Sequence, residues 1–124
     1  MSSYFADSYA RIEILKGNEN YRSFQSVRLI TTEFNICEVA FAVCREYPAT
    51  ASHVLKTVRK MVTLQTTGDQ DYCSGATMRK WASGKGKKLS TIDCVGYSVA
   101  DRLSIPILTG DREFEDLPGV EYVK

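Results

Sequence analysis

The sequence predicts an α/β fold: a three-layer sandwich with a mainly parallel, five-stranded sheet between layers of helices. Three observations point there. Short apolar runs alternate with segments of helical periodicity along the whole chain. Capping and turn residues punctuate that alternation. No tight hairpin signal joins two of the runs, which argues for crossover connections and parallel strands.

Residues 4–6 (Tyr4-Phe5-Ala6) form the first predicted strand, and Asp7-Ser8 supplies capping side chains for a helix. Tyr9, Ile12, Ile14 and Leu15 make its apolar stripe, which stops at Gly17-Asn18. A short helix fits residues 19–27, and residues 27–30 read as the second strand. Thr31-Thr32 caps a long helix that runs to about Tyr47 and is stopped by Pro48. Residues 50–60 are helical by spacing, with Val54, Leu55 and Val58 on one face. Residues 61–64 are the third strand, and Thr67-Gly68-Asp69 is a turn and cap. The next helix spans residues 70–83, with Cys73, Ala76 and Trp81 expected inward, and ends in the basic loop Gly84-Lys85-Gly86-Lys87-Lys88. Residues 90–103 form a helix with Ile92, Val95, Val99, Ala100 and Leu103 inward. Strands at 105–108 and 120–123 complete the sheet. The whole, residues 1–124, reads as one domain.

The chain has 124 residues, 44% hydrophobic and 25% charged, enough for a sizeable core. No apolar run approaches the ~18–20 residues of a membrane span. The first residues lack a basic and apolar leader pattern, so a cytoplasmic location and no membrane partner are expected. A net charge of +1 means that any nucleic-acid binding must use a local patch. Cys37, Cys44, Cys73 and Cys94 form no C-x-x-C pair, which argues against a zinc site and a disulfide framework. His53 is the only histidine, too few for a ribonuclease with two imidazoles as acid and base. There is no G-x-S-x-G elbow and no G-x-x-x-x-G-K-[ST] loop.

Glu38 stands out. It is the only charge in residues 36–44, Ile36-Cys37-Glu38-Val39-Ala40-Phe41-Ala42-Val43-Cys44. A run so apolar over more than two turns predicts burial on most sides. An unpaired carboxylate there costs several kcal/mol. It has a cationic partner, is protonated, or binds a metal ion; the nearest basic residue along the helix, Arg45, is two turns away.

Three more acids are candidates to join it; a parallel sheet brings two of them, Asp7 and Asp111, to one rim, while helices that return to the sheet do not all start there. Asp7 follows the first strand, and Asp111 follows the strand at 105–108 through Thr109-Gly110. In open α/β sheets, ligands sit beyond the carboxyl ends of the strands. Asp93 lies in the first turn of its helix, Glu38 in the second turn of its own. Each of the three has a plainer reading: Asp7 as a helix cap, Ser90-x-x-Asp93 as a capping box, Asp111 as a solvated turn residue. If the four converge, they repel. Two carboxylates ~5 Å apart cost about 3 kcal/mol at an effective dielectric near 20. A divalent cation would relieve that, and an all-carboxylate site suits Mg²⁺ or Mn²⁺. Such ions serve phosphoryl transfer.

The order and setting of these acids resemble the PIN-domain family, especially the VapC-type toxin ribonucleases of VapBC toxin–antitoxin pairs. The resemblance runs over essentially the whole chain. It rests on Phe5-Ala6-Asp7-Ser8, on Thr32 through Glu38, on Leu89-Ser90-Thr91-Ile92-Asp93 with Val99-Ala100, and on Leu108-Thr109-Gly110-Asp111-Arg112-Glu113-Phe114. It implies a PIN-like fold and a Mg²⁺- or Mn²⁺-dependent endoribonuclease. Asp7, Glu38, Asp93 and Asp111 would be the catalytic, metal-holding acids. Ser8 and Thr109 match positions beside the site. Glu113 departs from the pattern, since many relatives carry an aspartate there, and counts as an auxiliary candidate. The resemblance also implies an RNA substrate, a small antitoxin partner and a homodimer.

For RNA contact, Arg79, Lys80, Lys85, Lys87 and Lys88 are five cations without an intervening acid, either a phosphate-binding patch or a solvated helix end. Arg112, beside Asp111, is the better-placed candidate for a phosphate. Tyr9, Tyr72, Trp81 and Tyr97 offer rings for stacking, though aromatics at helical spacing more often fill cores. Two competing readings remain. One is a catalytically inactive PIN-like module that binds protein or RNA. The other is a phosphoacceptor receiver domain, which the late placement of Asp69 and Asp71 and the lack of a lysine between Ile105 and Val123 argue against.

Overall fold

The computed structural model describes residues 2–124. Five strands, β1 (Ser3–Ala6), β2 (Arg28–Thr31), β3 (Thr63–Leu64), β4 (Ile107–Thr109) and β5 (Val120–Tyr122), form one all-parallel sheet in the order β3-β2-β1-β4-β5. The helices are α1 (Ser8–Leu15), α2 (Glu33–Glu46), α3 (Ala51–Lys60), α4 (Asp69–Gly84) and α5 (Thr91–Arg102). Strand succession runs from β1 outward to β3, then returns to the other side of β1 with β4. This reversal opens a crevice beyond the carboxyl ends of β1 and β4. Asp7 directly follows β1, and Asp111 lies two residues past β4.

The pleat sorts the strand residues onto two faces. Phe5, Ile30 and Ile107 pack with Ala82 of α4 and with Cys94, Val95, Val99 and Ala100 of α5. Ala6, Leu29 and Leu108 face the other way, against Ala10 and Ile14 of α1 and Tyr21. A third cluster, Ile36, Val39, Val43 and Val58, joins α2 to α3, with Ile12 and Leu15 of α1 against it. Each large aliphatic or aromatic side chain buried this way contributes about 1.5–3 kcal/mol.

The structure departs from the sequence expectations in four places. The segment after α1 is a 3-10 turn at Glu19–Phe24, capped by Asn18, and not a regular helix over 19–27. Tyr21 is buried three residues before Phe24 and tilts against it, a spacing that one tight turn satisfies. The fourth strand begins after Pro106, which lacks an N–H and instead accepts from the Phe5 N–H at 2.9 Å. The third strand is likewise shorter than expected, Thr63–Leu64, so the second departure is one of strand length.

The inward face of α4 is the third and largest difference. Cys73, Ala76 and Trp81 are exposed, Trp81 to 48%, whereas Asp71, Gly75 and Ala82 are buried. Helices α4 and α5 pack antiparallel: Asp71 pairs with Arg102 at 2.8 Å, and Arg79 donates to Thr91 at 2.7 Å. Between these contacts the backbones approach so closely that a Cβ on Gly75 would stand 2.8 Å from Val95 Cγ2 and 3.0 Å from its backbone. The face that packs is therefore the small one. The fourth difference concerns α2. Cys37, Phe41 and Cys44 are exposed, Phe41 to 72%, so only one side of this apolar helix meets the core.

Candidate functional site

The site grows from helix starts and strand ends. Asp7 is the N-cap of α1, its Oδ1 accepting from the Ala10 N–H at 2.8 Å. Its Oδ2 accepts from the Thr109 hydroxyl at 2.5 Å, and the same hydroxyl oxygen accepts from the Asp111 N–H at 3.0 Å. Thr109, fully buried at the end of β4, thus ties together the acids that follow the two strands. Gly110 makes the link possible. A Cβ there would fall 2.2 Å from the Tyr9 ring and 2.5 Å from the Val123 carbonyl. Asp111 caps the 3-10 turn Arg112–Phe114, its Oδ1 accepting from the Glu113 N–H at 3.0 Å.

Glu38 is positioned from α1. The Ser8 hydroxyl donates a short hydrogen bond to its Oε1 and accepts from Asn35 Nδ2 at 3.1 Å. Asn35 is buried and is itself held by the Thr32 hydroxyl, which donates to its Oδ1 at 2.7 Å. Asp93 completes a capping box at the start of α5. Its Oδ2 accepts from the Ser90 N–H at 2.8 Å, while its own N–H donates to Ser90 Oγ at 3.0 Å. The cap readings of Asp7 and Asp93 are therefore true, and they orient one face of each carboxylate. Among the described residues, Glu38 Oε2, Asp93 Oδ1 and Asp111 Oδ2 accept no hydrogen bond.

The four acids act on one another. Burial pushes the Asp7 carboxyl up to about 7; the Thr109 and Ala10 hydrogen bonds pull it down, and the charges of Asp93 and Asp111 push it further up. Burial likewise raises Asp93, against its Ser90 hydrogen bonds and with the help of Asp111. Glu38 is raised by burial, opposed by the Ser8 hydrogen bond and reinforced by Asp93. Among the described residues, no ion pair supplies any of the four with a cation. Of the three resolutions for Glu38, the ion pair is thus not the one taken.

The donor set fits a hard divalent cation: oxygens only, mutually repelling, without a counter-charge. The spacing is looser than a finished cage. Among the described residues, no three Asp, Glu, His or Cys side chains stand close enough together to grip one ion.

The auxiliary and RNA-contact candidates divide. Ser8 and Thr109 touch the acids directly. Glu113 turns away, its Oε1 accepting from the Lys88 N–H at 2.5 Å, so it braces the basic loop. Lys87 is tied to Asp116 at 2.6 Å. Lys85 and Arg112 are exposed, and neither forms an ion pair among the described residues. Sequence reasoning missed Asn35. The signal was available: a polar residue one turn before Glu38, next to Ile36 on the buried face of α2.

No protein-family model matches the sequence, and no curated protein does. Solved structures do. The chain superposes on VapBC from Salmonella typhimurium bound to DNA with a TM-score of 0.75 at 17% identity, over 98% of this chain and 97% of that one. VapBC2 from Rickettsia felis bound to a promoter DNA fragment gives 0.77 at 12% identity, covering 98% and 99%. VapC20 from Mycobacterium tuberculosis, a toxin that cleaves the sarcin-ricin loop, gives 0.74 at 13% identity, covering 99% and 100%. A five-stranded parallel sheet with flanking helices thus matches at full length, and the chain has the PIN-like fold of these VapC structures.

Proposed function

We propose that this protein is a Mg²⁺- or Mn²⁺-dependent endoribonuclease, the toxin of a toxin–antitoxin pair. The observation that carries the reading is the set of four interacting acids without a cation, one of them pushed up to about 7, at the switch point of the sheet. The VapC and VapBC neighbours support a toxin and an antitoxin partner. A homodimer and a cytoplasmic location belong to the same proposal. No helix among the described residues is long and apolar enough to cross a membrane.

Asp7, Glu38, Asp93 and Asp111 would hold the ion. When bound, it supplies the missing counter-charge and lowers the cost of generating hydroxide from water for attack on a phosphodiester. The chain's own work is orientation. Thr109 holds Asp7 and Asp111 in register, Ser8 and Asn35 aim Glu38, and Ser90 aims Asp93. Products would carry a 3′-hydroxyl and a 5′-phosphate, with no covalent intermediate on the protein.

The test is cleavage of structured and single-stranded RNA with added Mg²⁺ or Mn²⁺. Cleavage that depends on the ion and falls by orders of magnitude in Asp7→Asn is expected; cleavage that survives both chelation and that change overturns the reading. A second reading, a PIN-like module that binds RNA or protein without cutting, is favoured by one observation: the open spacing of the acids. It predicts RNA or protein binding with no ion-dependent cleavage.

A further inference from the structure

An acidic edge repels the polyanion it is meant to cut, so a phosphate-binding surface must lie beside it. The five cations of residues 79–88 are not equivalent in the structure. Lys87 is spent on Asp116 and the Glu113 carbonyl, at 2.6 and 3.5 Å. Lys88 is fastened through its backbone to Glu113. Lys85 caps the end of α4. Arg79 and Lys80, exposed and without an acidic partner among the described residues as the Lys85 and Lys88 side chains also are, differ in lying side by side on one groove.

These two cations line an open groove of ≈ 450 Å³ with Ala76, Ser83 and Thr91. Arg79 Nη1 donates to the Thr91 hydroxyl at 2.7 Å. Thr91 opens α5 two residues before Asp93. The antiparallel packing of α4 on α5 therefore carries the groove to the rim of the acid cluster without placing it on the acids. One nitrogen of the Arg79 fork holds Thr91, and the other donors are free for a phosphate, to which the planar guanidinium is matched. Lys80 adds a second charge, and the Ser83 and Thr91 hydroxyls add neutral donors.

We propose that this groove between α4 and the start of α5 grips a backbone phosphate of the RNA strand next to the bond being cut, with Arg79 and Lys80 as its cations. The inference rests on the ribonuclease reading. It assigns the recognition to backbone and not to base, so it carries affinity and register without sequence preference.

The probe is a fluorescein-labelled single-stranded 12-nucleotide RNA, followed by anisotropy in chelator so that nothing is cleaved. Wild type is compared with Arg79→Ala/Lys80→Ala and with Lys87→Ala, at several salt concentrations. The double variant should bind at least about tenfold more weakly. Its slope of log affinity against log salt should be shallower by about 1.4, at about 0.7 per cation for single strands. Lys87→Ala should keep the wild-type slope, and Arg79→Lys should recover part of the loss. In Mg²⁺, the double variant should raise KM and leave kcat within about threefold. Unaltered melting temperature separates these effects from misfolding. If wild type cleaves RNA but the double variant binds and cleaves like it, the groove inference is wrong and the ribonuclease reading stands. If wild type neither binds nor cleaves RNA, both fall.

Discussion

Asp7 and Arg11 sit one helical turn apart on α1, linked by the hydrogen bond from the Arg11 N–H to the Asp7 carbonyl at 3.0 Å. Both side chains are buried, to 3% and 0% exposure. Their treatment is opposite. Each Asp7 oxygen has a donor aimed at it, and its partners lead on to Asp111. The three side-chain nitrogens of Arg11 have no partner among the described residues, and burial alone pushes its guanidinium below the ordinary value. One burial is organised around a site; the other is a cost with no return in the chain by itself. A buried charge is therefore not evidence of function. The directed donors and the neighbouring charges around it are.

The comparison breaks most sharply at Asp7. Asp7→Asn should reduce ion-dependent RNA cleavage by about 10²–10³-fold, the several kcal/mol that a held ion supplies. The fold should survive, as circular dichroism would show.

The same change should alter how stability depends on pH. The folded-state Asp7 carboxyl titrates near 7 and the unfolded one near 3.8, so the folded protein holds the extra proton between those values. Without metal, stability should fall as pH rises through that window, by a few kcal/mol at most. Denaturant melts at pH 4.5 and 7.5 measure it, and Asp7→Asn should remove this component. A pH dependence identical in both proteins would refute the assignment.

Arg11→Met, by contrast, should leave cleavage unaltered and raise stability by about 1–4 kcal/mol, as when buried unpaired ions give way to apolar groups. Destabilisation would mean that the guanidinium has a partner in solution. The smallest effect belongs to Thr109→Val. It keeps the shape but leaves Asp7 and the Asp111 N–H short of a hydrogen bond each, costing about 1–3 kcal/mol and about tenfold in kcat. An unchanged kcat would remove Thr109 as a positioning residue.

The succession of strands, most helix boundaries and the rim that carries Asp7 and Asp111 were legible because caps and apolar runs are local signals, whereas the order of the strands in the sheet is a tertiary fact. Side-chain facing was less so. On α4, periodicity picked the large residues Cys73 and Trp81 as inward. A helix pair in close contact buries its small residues instead, Gly75 and Ala82, and close approach is a tertiary fact. On α2, an apolar run does not say that only one side meets the core, and Phe41 is left outside. Arg11 falls between two apolar stripes of α1, the buried Ala10 with Ile14 and the partly buried Ile12 with Leu15, a position that its polarity conceals. The four acids were legible as candidates from their places after strands and at helix starts. The hydrogen bonds that aim them, from Asn35 through Ser8 to Glu38, span residues too far apart in sequence to be read there.

The most direct test of the central claim, that these acids await a divalent ion, is the effect of Mn²⁺ on the melting temperature at pH 7.5. Wild type should be stabilised, by about 2.7 kcal/mol when the ion stands at a hundredfold its Kd, and Asp7→Asn and Glu38→Gln should gain little. Equal stabilisation of all three proteins, or none in wild type, would contradict the account.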